Sequence, residues 1–299
     1  MNKLKHQSSK LIYKISPWIM LFPTIFVLYF MIWRPQIMGF VWSFHEMNGF
    51  QVGEFCGLKN YMEVLNEPAF LSVFVNTVEY VLWSMVIGFV LPIILAVMIN
   101  ELRRGKDFFK VTLYLPGIVP GIAVMVMWYF MFYPDATGLL NVLLAKIGVE
   151  PLEWLNDAKM TIPLIVITKT WRAAGGSALL YFTALQGIKT ELYEAAIIDG
   201  ASVVKRFFSI TLPQISGLLV LNFVRQIIAV FQISEEPMTM TGGGPMGASM
   251  SLGYQIYRYG FISGRVGCAL ALSVLMFVML VVATLFYFYL NKKVEENLE

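Results

Sequence analysis

Apolar residues in this chain gather in long unbroken blocks rather than in alternating or helically spaced stripes. Six such blocks stand out, at about Trp18–Phe40, Val73–Ile99, Val111–Tyr133, Ile162–Leu185, Ile215–Ile233 and Val266–Leu290. Roughly twenty apolar residues in a helix cross about 30 Å of hydrocarbon. The pattern therefore predicts an all-α integral membrane protein with six transmembrane helices. A soluble core of this size would split its apolar runs into short strands and amphipathic helices. Pro92, Pro116 and Pro120 fall inside the blocks. In lipid, proline is tolerated where neighbours satisfy the freed carbonyl, so these positions predict packed, kinked spans.

The polar connections give an orientation. With the N-terminus inside, the inner segments hold thirteen Lys and Arg, among them Lys3, Lys5, Lys10, Lys14, Lys292 and Lys293, and the outer segments hold six. That excess places both termini in the cytoplasm. The basic start, Met1 to Lys14, followed by a long apolar block without a small-x-small cleavage site, reads as a retained first span. Trp18, Trp33 and Trp42, and the run from Trp128 to Tyr133, sit where interfacial aromatic belts belong. Turn chemistry marks the outer loops at Tyr133-Pro134-Asp135 and Gly242-Gly243-Gly244-Pro245.

Composition agrees with lipid as the solvent: 58% of the 299 residues are hydrophobic and 14% are charged, against about a quarter charged in soluble domains. A net charge of +3, dispersed along the chain, argues against nucleic acid. Cys56 and Cys268 form no CxxC pair, and only His6 and His45 are present, so no metal or redox site is expected. Gly105-Lys106 is followed by Asp107 rather than Ser or Thr, so no phosphate loop is expected and no nucleotide site on this chain. These absences leave no constellation for an intramembrane enzyme.

The longest internal hydrophilic stretch runs from about Gln186 to Gln214. Within it Glu191 to Ile198 are good helix formers, Asp199-Gly200 break them, and Ser202 can cap a second helix. Val204, Phe207 and Phe208 share helical spacing, and Pro213 closes the segment. This pattern predicts a compact, bent helical knob with an aromatic face on the cytoplasmic side. Such a knob suits docking to a partner, and it equally suits an amphipathic loop lying on the membrane surface.

Glu194-Ala195-Ala196, then Asp199-Gly200-Ala201, then Phe207, Ile210 and Leu212-Pro213 resemble the EAA signature of permease subunits of bacterial binding-protein-dependent ABC importers. Ser216 stands where many members carry a proline. Gly57-Leu58-Lys59-Asn60-Tyr61, Asn76-Thr77, Leu115-Pro116 with Pro120, Gly138-Leu139-Leu140-Asn141 and Thr241-Gly242-Gly243-Gly244-Pro245 resemble carbohydrate permeases of the maltose and glycerol-phosphate type. The chain departs at Glu235-Glu236-Pro237, where that subgroup has apolar or hydroxyl residues. The resemblance implies a type I ABC importer permease fold in a bacterial inner membrane. It implies coupling through those ten EAA-segment positions to two ATP-binding subunits, which would bind ATP and Mg, while this chain binds no cofactor. It also implies a second homologous permease and an extracytoplasmic solute-binding protein that delivers the carbohydrate. The expected organisation is 1–70 as N-terminus, first helix and outer loop, 71–290 as permease domain with its coupling loop at about 186–214, and 291–299 as cytoplasmic tail.

Polar residues inside apolar blocks are candidates for the translocation path, because ionisable groups in hydrocarbon cost several kcal/mol unless they face water or protein. Lys169 and Arg172 lie three apart on one face, with Trp171 beside them; Arg225, Glu79 and Asn76 complete the set. One reading has Lys169 and Arg172 lining a cavity that favours a polar or anionic saccharide. The other has them snorkelling, or paired with a carboxylate such as Glu235. Gly117 to Gly121 and Gly260 to Gly264 have small-xxx-small spacing and are expected to serve packing. An ion-coupled secondary carrier for a polar solute is the alternative function, but no inverted repeat is visible and a carrier needs no docking knob.

Overall fold

The computed structural model describes residues 16–296, with side chains as far as 289. The basic N-terminal residues Lys3, Lys5, Lys10 and Lys14, and the side chains of Lys292 and Lys293, lie outside the described residues. Contacts divide the chain into two compact units: the described part of Met1–Asn66 with Tyr259–Leu275, and Glu67–Arg258 with the chain from Met276.

In the first unit, helix α1 (Ser16–Trp42) is apolar on every side and buries none of its residues, as a helix facing lipid does. A π-turn at Tyr29–Trp33 precedes Pro35, with the Arg34 N–H reaching back to the Tyr29 carbonyl. Proline cannot donate in the ladder and its ring crowds the preceding turn, and the widened turn relieves both. After α1 the chain forms an antiparallel hairpin, β1 (His45–Asn48) with β2 (Gln51–Phe55), turning at Gly49 in the left-handed region (φ +59°). This hairpin corrects the all-α expectation. Its signal was Gly49 followed by Phe50 between two short segments, since glycine at the first of two central residues supplies the positive φ that a two-residue hairpin turn needs. Helix α2 (Lys59–Leu65) locks beneath it: Asn60 Nδ2 donates to the Ser43 and His45 carbonyls at 2.9 Å each, and Tyr61 Oη meets Ser43 Oγ at 2.6 Å.

In the second unit, α3 (Phe70–Glu101) has a π-turn at Ser84–Phe89 ahead of Pro92. The segment expected as a third span is two helices, α4 (Lys106–Ile118) and α5 (Gly121–Met131), bent by 96°. This is far beyond the expected kink. Val119 precedes Pro120 and is pushed to extended angles (φ −66°, ψ 135°), which ends α4 and starts α5 in a new direction. The short α6 (Leu139–Ala145) follows.

Helix α7 (Ala158–Gln186) is the centre of the unit and buries thirteen of its 29 residues. Its lower half packs Tyr181, Phe182 and Leu185 against Ile93, Ala96 and Ile99 of α3 and against Ile215. Midway, the Leu113 carbonyl of α4 lies where a Cβ at position 175 would be, so only glycine permits this crossing. Beyond α7 come α8 (Thr190–Ile198), α9 (Val203–Gln214), and α10 (Ser216–Phe231), bent 75° from α9. The short α11 (Glu235–Met240) and α12 (Leu252–Tyr257) flank a glycine loop; the long α13 (Val266–Glu296), which belongs to the first unit as far as Leu275 and to the second from Met276, ends the described chain.

By length and apolar character α1, α3 and the Val266–Tyr289 stretch of α13 can each cross a membrane, and the bent pairs α4–α5 and α9–α10 raise the number to five. Helix α7 is long enough but carries Lys159, Lys169 and Arg172, and is not among them.

Candidate functional site

The knob between α7 and α10 is built by one capping device. Helix α8 ends at Ile198 with Asp199 as its C-cap, and Gly200 takes the left-handed conformation (φ +74°). The Gly200 N–H then meets the Ile197 carbonyl at 3.0 Å and the Ala201 N–H meets the Ala196 carbonyl at 2.8 Å. This paired closure is a Schellman motif, which needs a residue free of Cβ strain at the left-handed position. Two residues later Ser202 Oγ accepts the Lys205 N–H at 3.3 Å and opens α9. Tyr193 Oη meets Thr211 Oγ1 at 2.8 Å and holds α8 against α9.

Around this turn Ile197, Ile198, Val203, Val204 and Phe208 are exposed, five large apolar side chains in a loop otherwise rich in charge. Glu194, Ala195, Asp199 and Pro213 are exposed, while Ala196, Ala201, Ile210 and Leu212 are half-buried. The expected single face of Val204, Phe207 and Phe208 does not form. Phe207 packs on the core of Ile99, Tyr181 and Ile215, whereas Phe208 points outward. A π-turn at Phe207–Thr211, two residues before Pro213, is the physical reason, since it widens the helix and shifts the angular register that a 3.6-residue repeat would impose.

The second feature is a cavity of about 670 Å³ among α3, α4, α7, α10 and α11, within the range of about 300–1,000 Å³ for small-ligand sites. It brings together Lys169, Arg172 and Arg225 of the six candidates from the sequence. Lys169 Nζ lies 2.8 Å from Glu236 Oε1, and Glu236 is buried. The carboxylate partner is thus Glu236 rather than its neighbour Glu235, which is exposed because the first turn of α11 sends the two side chains to different faces. Arg172 lies across Gly121, where a Cβ would sit 2.8 Å from the guanidinium. Gly117 is close to the Arg172 carbonyl, so this glycine pair packs as its spacing predicted. Gly260 approaches Ala269, but Gly264 meets nothing within 4 Å and serves a left-handed turn instead (φ +66°).

The other three candidates stand elsewhere. Trp171 points away and meets Trp128 edge-on at 5.8 Å. Glu79 Oε1 accepts from Trp83 Nε1, one turn on, at 3.3 Å. Asn76 Nδ2 donates to the Gly247 and Met250 carbonyls at 2.8 and 3.1 Å, so it anchors the glycine loop. That loop is further fixed by Tyr80 Oη on the Ser249 carbonyl (3.0 Å), by Thr77 Oγ1 accepting from the Leu252 N–H (2.9 Å), and by Thr241 Oγ1 against Ser249 Oγ (2.7 Å). Gly242 and Gly243 both take positive φ, and Gly243 has Met250 packed where a side chain would go. Gly244 and Pro245 complete this turn, so the Thr241–Pro245 motif builds a rigid loop.

Sequence reasoning missed Asn222, Gln226 and Glu236 as cavity residues. Asn222, Arg225 and Gln226 recur at i, i+3 and i+4 in an apolar helix, so they share one wall, and that spacing was the available signal.

The chain matches the family model described as binding-protein-dependent transport system inner membrane component over residues 88–296. It is 34% identical to the trehalose/maltose transport system permease protein MalF of Thermococcus litoralis, covering 96% of this chain and 95% of that one. It is 32% identical to the probable ABC transporter permease protein YurN of Bacillus subtilis, over 89% and 92% of the two chains. It is also 31% identical to the arabinooligosaccharides transport system permease protein AraP of Bacillus subtilis, over 91% and 87%. Among solved structures, a chain of a bacterial ABC transporter involved in the import of the acidic polysaccharide alginate shares the fold, with a TM-score of 0.83 at 24% identity over 96% of this chain and 99% of that one.

Proposed function

This chain belongs to the binding-protein-dependent transport system inner membrane components, and from that premise we propose that it is the permease through which an ATP-driven importer passes a carbohydrate. The observation that carries the reading is the exposed knob. Its Schellman closure at Ala196, Gly200 and Ala201 lies inside the matched region 88–296 and presents Ile198, Val203, Val204 and Phe208 outward. The sugars named for the two relatives above, trehalose/maltose and arabinooligosaccharides, support the substrate class.

In this reading six helices span the inner membrane with both termini in the cytoplasm, within the 71–290 permease domain and the first helix before it. A second, homologous permease completes the channel. Two ATP-binding subunits hold ATP and Mg, hydrolyse the nucleotide, and seat the knob from Glu194 to Pro213. An extracytoplasmic binding protein delivers the sugar, and the Thr241–Pro245 loop, fixed by Asn76 and Tyr80, forms a firm outer rim. The cavity among α3, α4, α7 and α10 lies on the path. ATP and the loaded binding protein act by binding one conformation more tightly than the other.

The test is stimulated ATP hydrolysis by the copurified complex in lipid, with and without binding protein and sugar, comparing wild type with Gly200→Trp. A bulky residue at φ +74° breaks the turn, so stimulation is expected to fall at least tenfold while the spans and expression persist. Unchanged stimulation would remove the coupling role from the knob.

A further inference from the structure

The charges of the cavity do not cancel. Three cations, Lys169, Arg172 and Arg225, line it together with one carboxylate, Glu236, and Glu236 is committed to Lys169 at 2.8 Å. Among the described residues no carboxylate lies within salt-bridge distance of Arg172 or Arg225. Both guanidinium groups therefore stand on the cavity wall with their full charge.

Their neighbours are built to hold them there. The Arg172 guanidinium occupies the space that a side chain at position 121 would fill, at 2.8–3.2 Å from a Cβ. Across the cavity Gln226 Nε2 fills the matching space over Gly88, 2.6 Å from where its Cβ would be. Two glycines on different helices thus yield room to polar side chains from α7 and α10. Two uncompensated cations at membrane depth are costly unless water or an anion serves them. Guanidinium groups also match carboxylate, phosphate and sulfate oxygens in two-pronged, charge-assisted hydrogen bonds, roughly twice as strong as those to a neutral sugar hydroxyl.

We propose that this cavity selects a saccharide bearing an acidic substituent, with Arg172 and Arg225 as the groups that meet the anion. The inference rests on the carbohydrate-permease reading. It also shifts the role from Lys169, which the sequence paired with Arg172, to Arg225, because Lys169 is neutralised by Glu236. Lys169 and Glu236 serve as a positioning pair that keeps the carboxylate off the arginines.

The experiment is a binding titration by saturation-transfer NMR on the full complex in lipid nanodiscs, without binding protein. The probes are digalacturonate and its dimethyl ester, and glucose 6-phosphate and glucose. In wild type each acid binds about tenfold or more tightly than its uncharged counterpart, and added salt narrows the gap. Arg172→Gln with Arg225→Gln reduces the preference to about twofold or less, while Arg172→Lys with Arg225→Lys keeps most of it because charge remains. The lysine pair also guards against a folding defect, since both doubles must elute as the intact complex. Equal binding of acid and neutral partner, or a preference that survives the glutamine pair, overturns the inference and leaves the carbohydrate reading standing. If no probe of either kind binds, the inference of an acid-selecting cavity falls, and the carbohydrate reading is decided separately by ATP-dependent oligosaccharide uptake.

Discussion

Lys169 on α7 and Glu236 on α11 meet at 2.8 Å, tying the central helix of the second unit to the segment that leads into the glycine loop. Lys169 is about a quarter exposed and Glu236 is buried, so the pair is partly screened. Removing one partner leaves the other charge partly buried without its counter-charge. Glu236→Ala is expected to lower stability by about 1–3 kcal/mol, and a Lys169→Met, Glu236→Met double to recover most of the loss. Thermal unfolding of the complex in detergent checks this. A single variant as stable as wild type would contradict the role given to the pair.

Adjacent glycines of α7 make a matched pair. A Cβ at Gly175 collides with the Leu113 backbone, whereas one at Gly176 meets nothing within 4 Å. Gly175→Ala is expected to cost about 1–3 kcal/mol through forced separation of α4 and α7. Gly176→Ala should be neutral, or stabilising by up to about 1 kcal/mol through helix propensity. Expression level and melting temperature in detergent separate the two. Equal behaviour would mean that α4 does not cross α7 as described.

Asn141 is the hub of the loop from Tyr133 to Trp154. Its Nδ2 donates to the Leu152 and Asp135 carbonyls at 3.0 Å, and its Oδ1 accepts the Leu152 N–H at 3.0 Å and Trp154 Nε1 at 2.7 Å. Asn141→Ala leaves several part-buried groups without their partner, at a cost of about 1–2 kcal/mol. Faster hydrogen exchange and proteolysis confined to residues 133–156 are the expected readout, and unchanged protection would refute the hub.

The Lys59 ammonium, 2.7 Å from Glu46, holds the Glu46 carboxyl below its ordinary value, through its hydrogen bond first and its charge second. Because the folded value is the lower one, the stabilisation is complete above the ordinary carboxylate range near 4.5. It is lost as pH falls through the depressed value. The same contact raises Lys59, so at the alkaline end it is complete below about 10.5 and is lost above the raised value. The protection factors of Met47 to Val52, with the intrinsic pH dependence of amide exchange divided out, should fall on acidification in wild type and stay constant with pH in Glu46→Gln. Both groups are exposed, so the effect is local and small.

Much of this fold was legible in the apolar blocks, because hydrocarbon enforces runs of helix length. Phe70–Glu101 extends its expected segment by three and two residues, and Val266–Glu296 begins where expected and runs six residues further. The 96° break at Val119-Pro120 was not legible, since a run of apolar residues records burial in lipid but not direction. The three π-turns before Pro35, Pro92 and Pro213 were equally hidden, and one of them moved Phe207 from the expected docking face into the core. At the candidate sites the Asp199-Gly200 breaker was readable because backbone strain acts locally. Glu236 as the partner of Lys169 was not, because 67 residues separate them and only packing joins them.

The central claim is that this chain carries a sugar at the expense of ATP hydrolysed by a partner. The most direct measurement is uptake of labelled oligosaccharides into proteoliposomes holding the complex and its binding protein, with ATP enclosed or omitted and with ionophores present. Uptake that requires enclosed ATP, survives collapse of the ion gradients and is lost in Gly200→Trp is the predicted result. Uptake that ignores ATP and stops with the ionophores would contradict the account and identify an ion-coupled carrier.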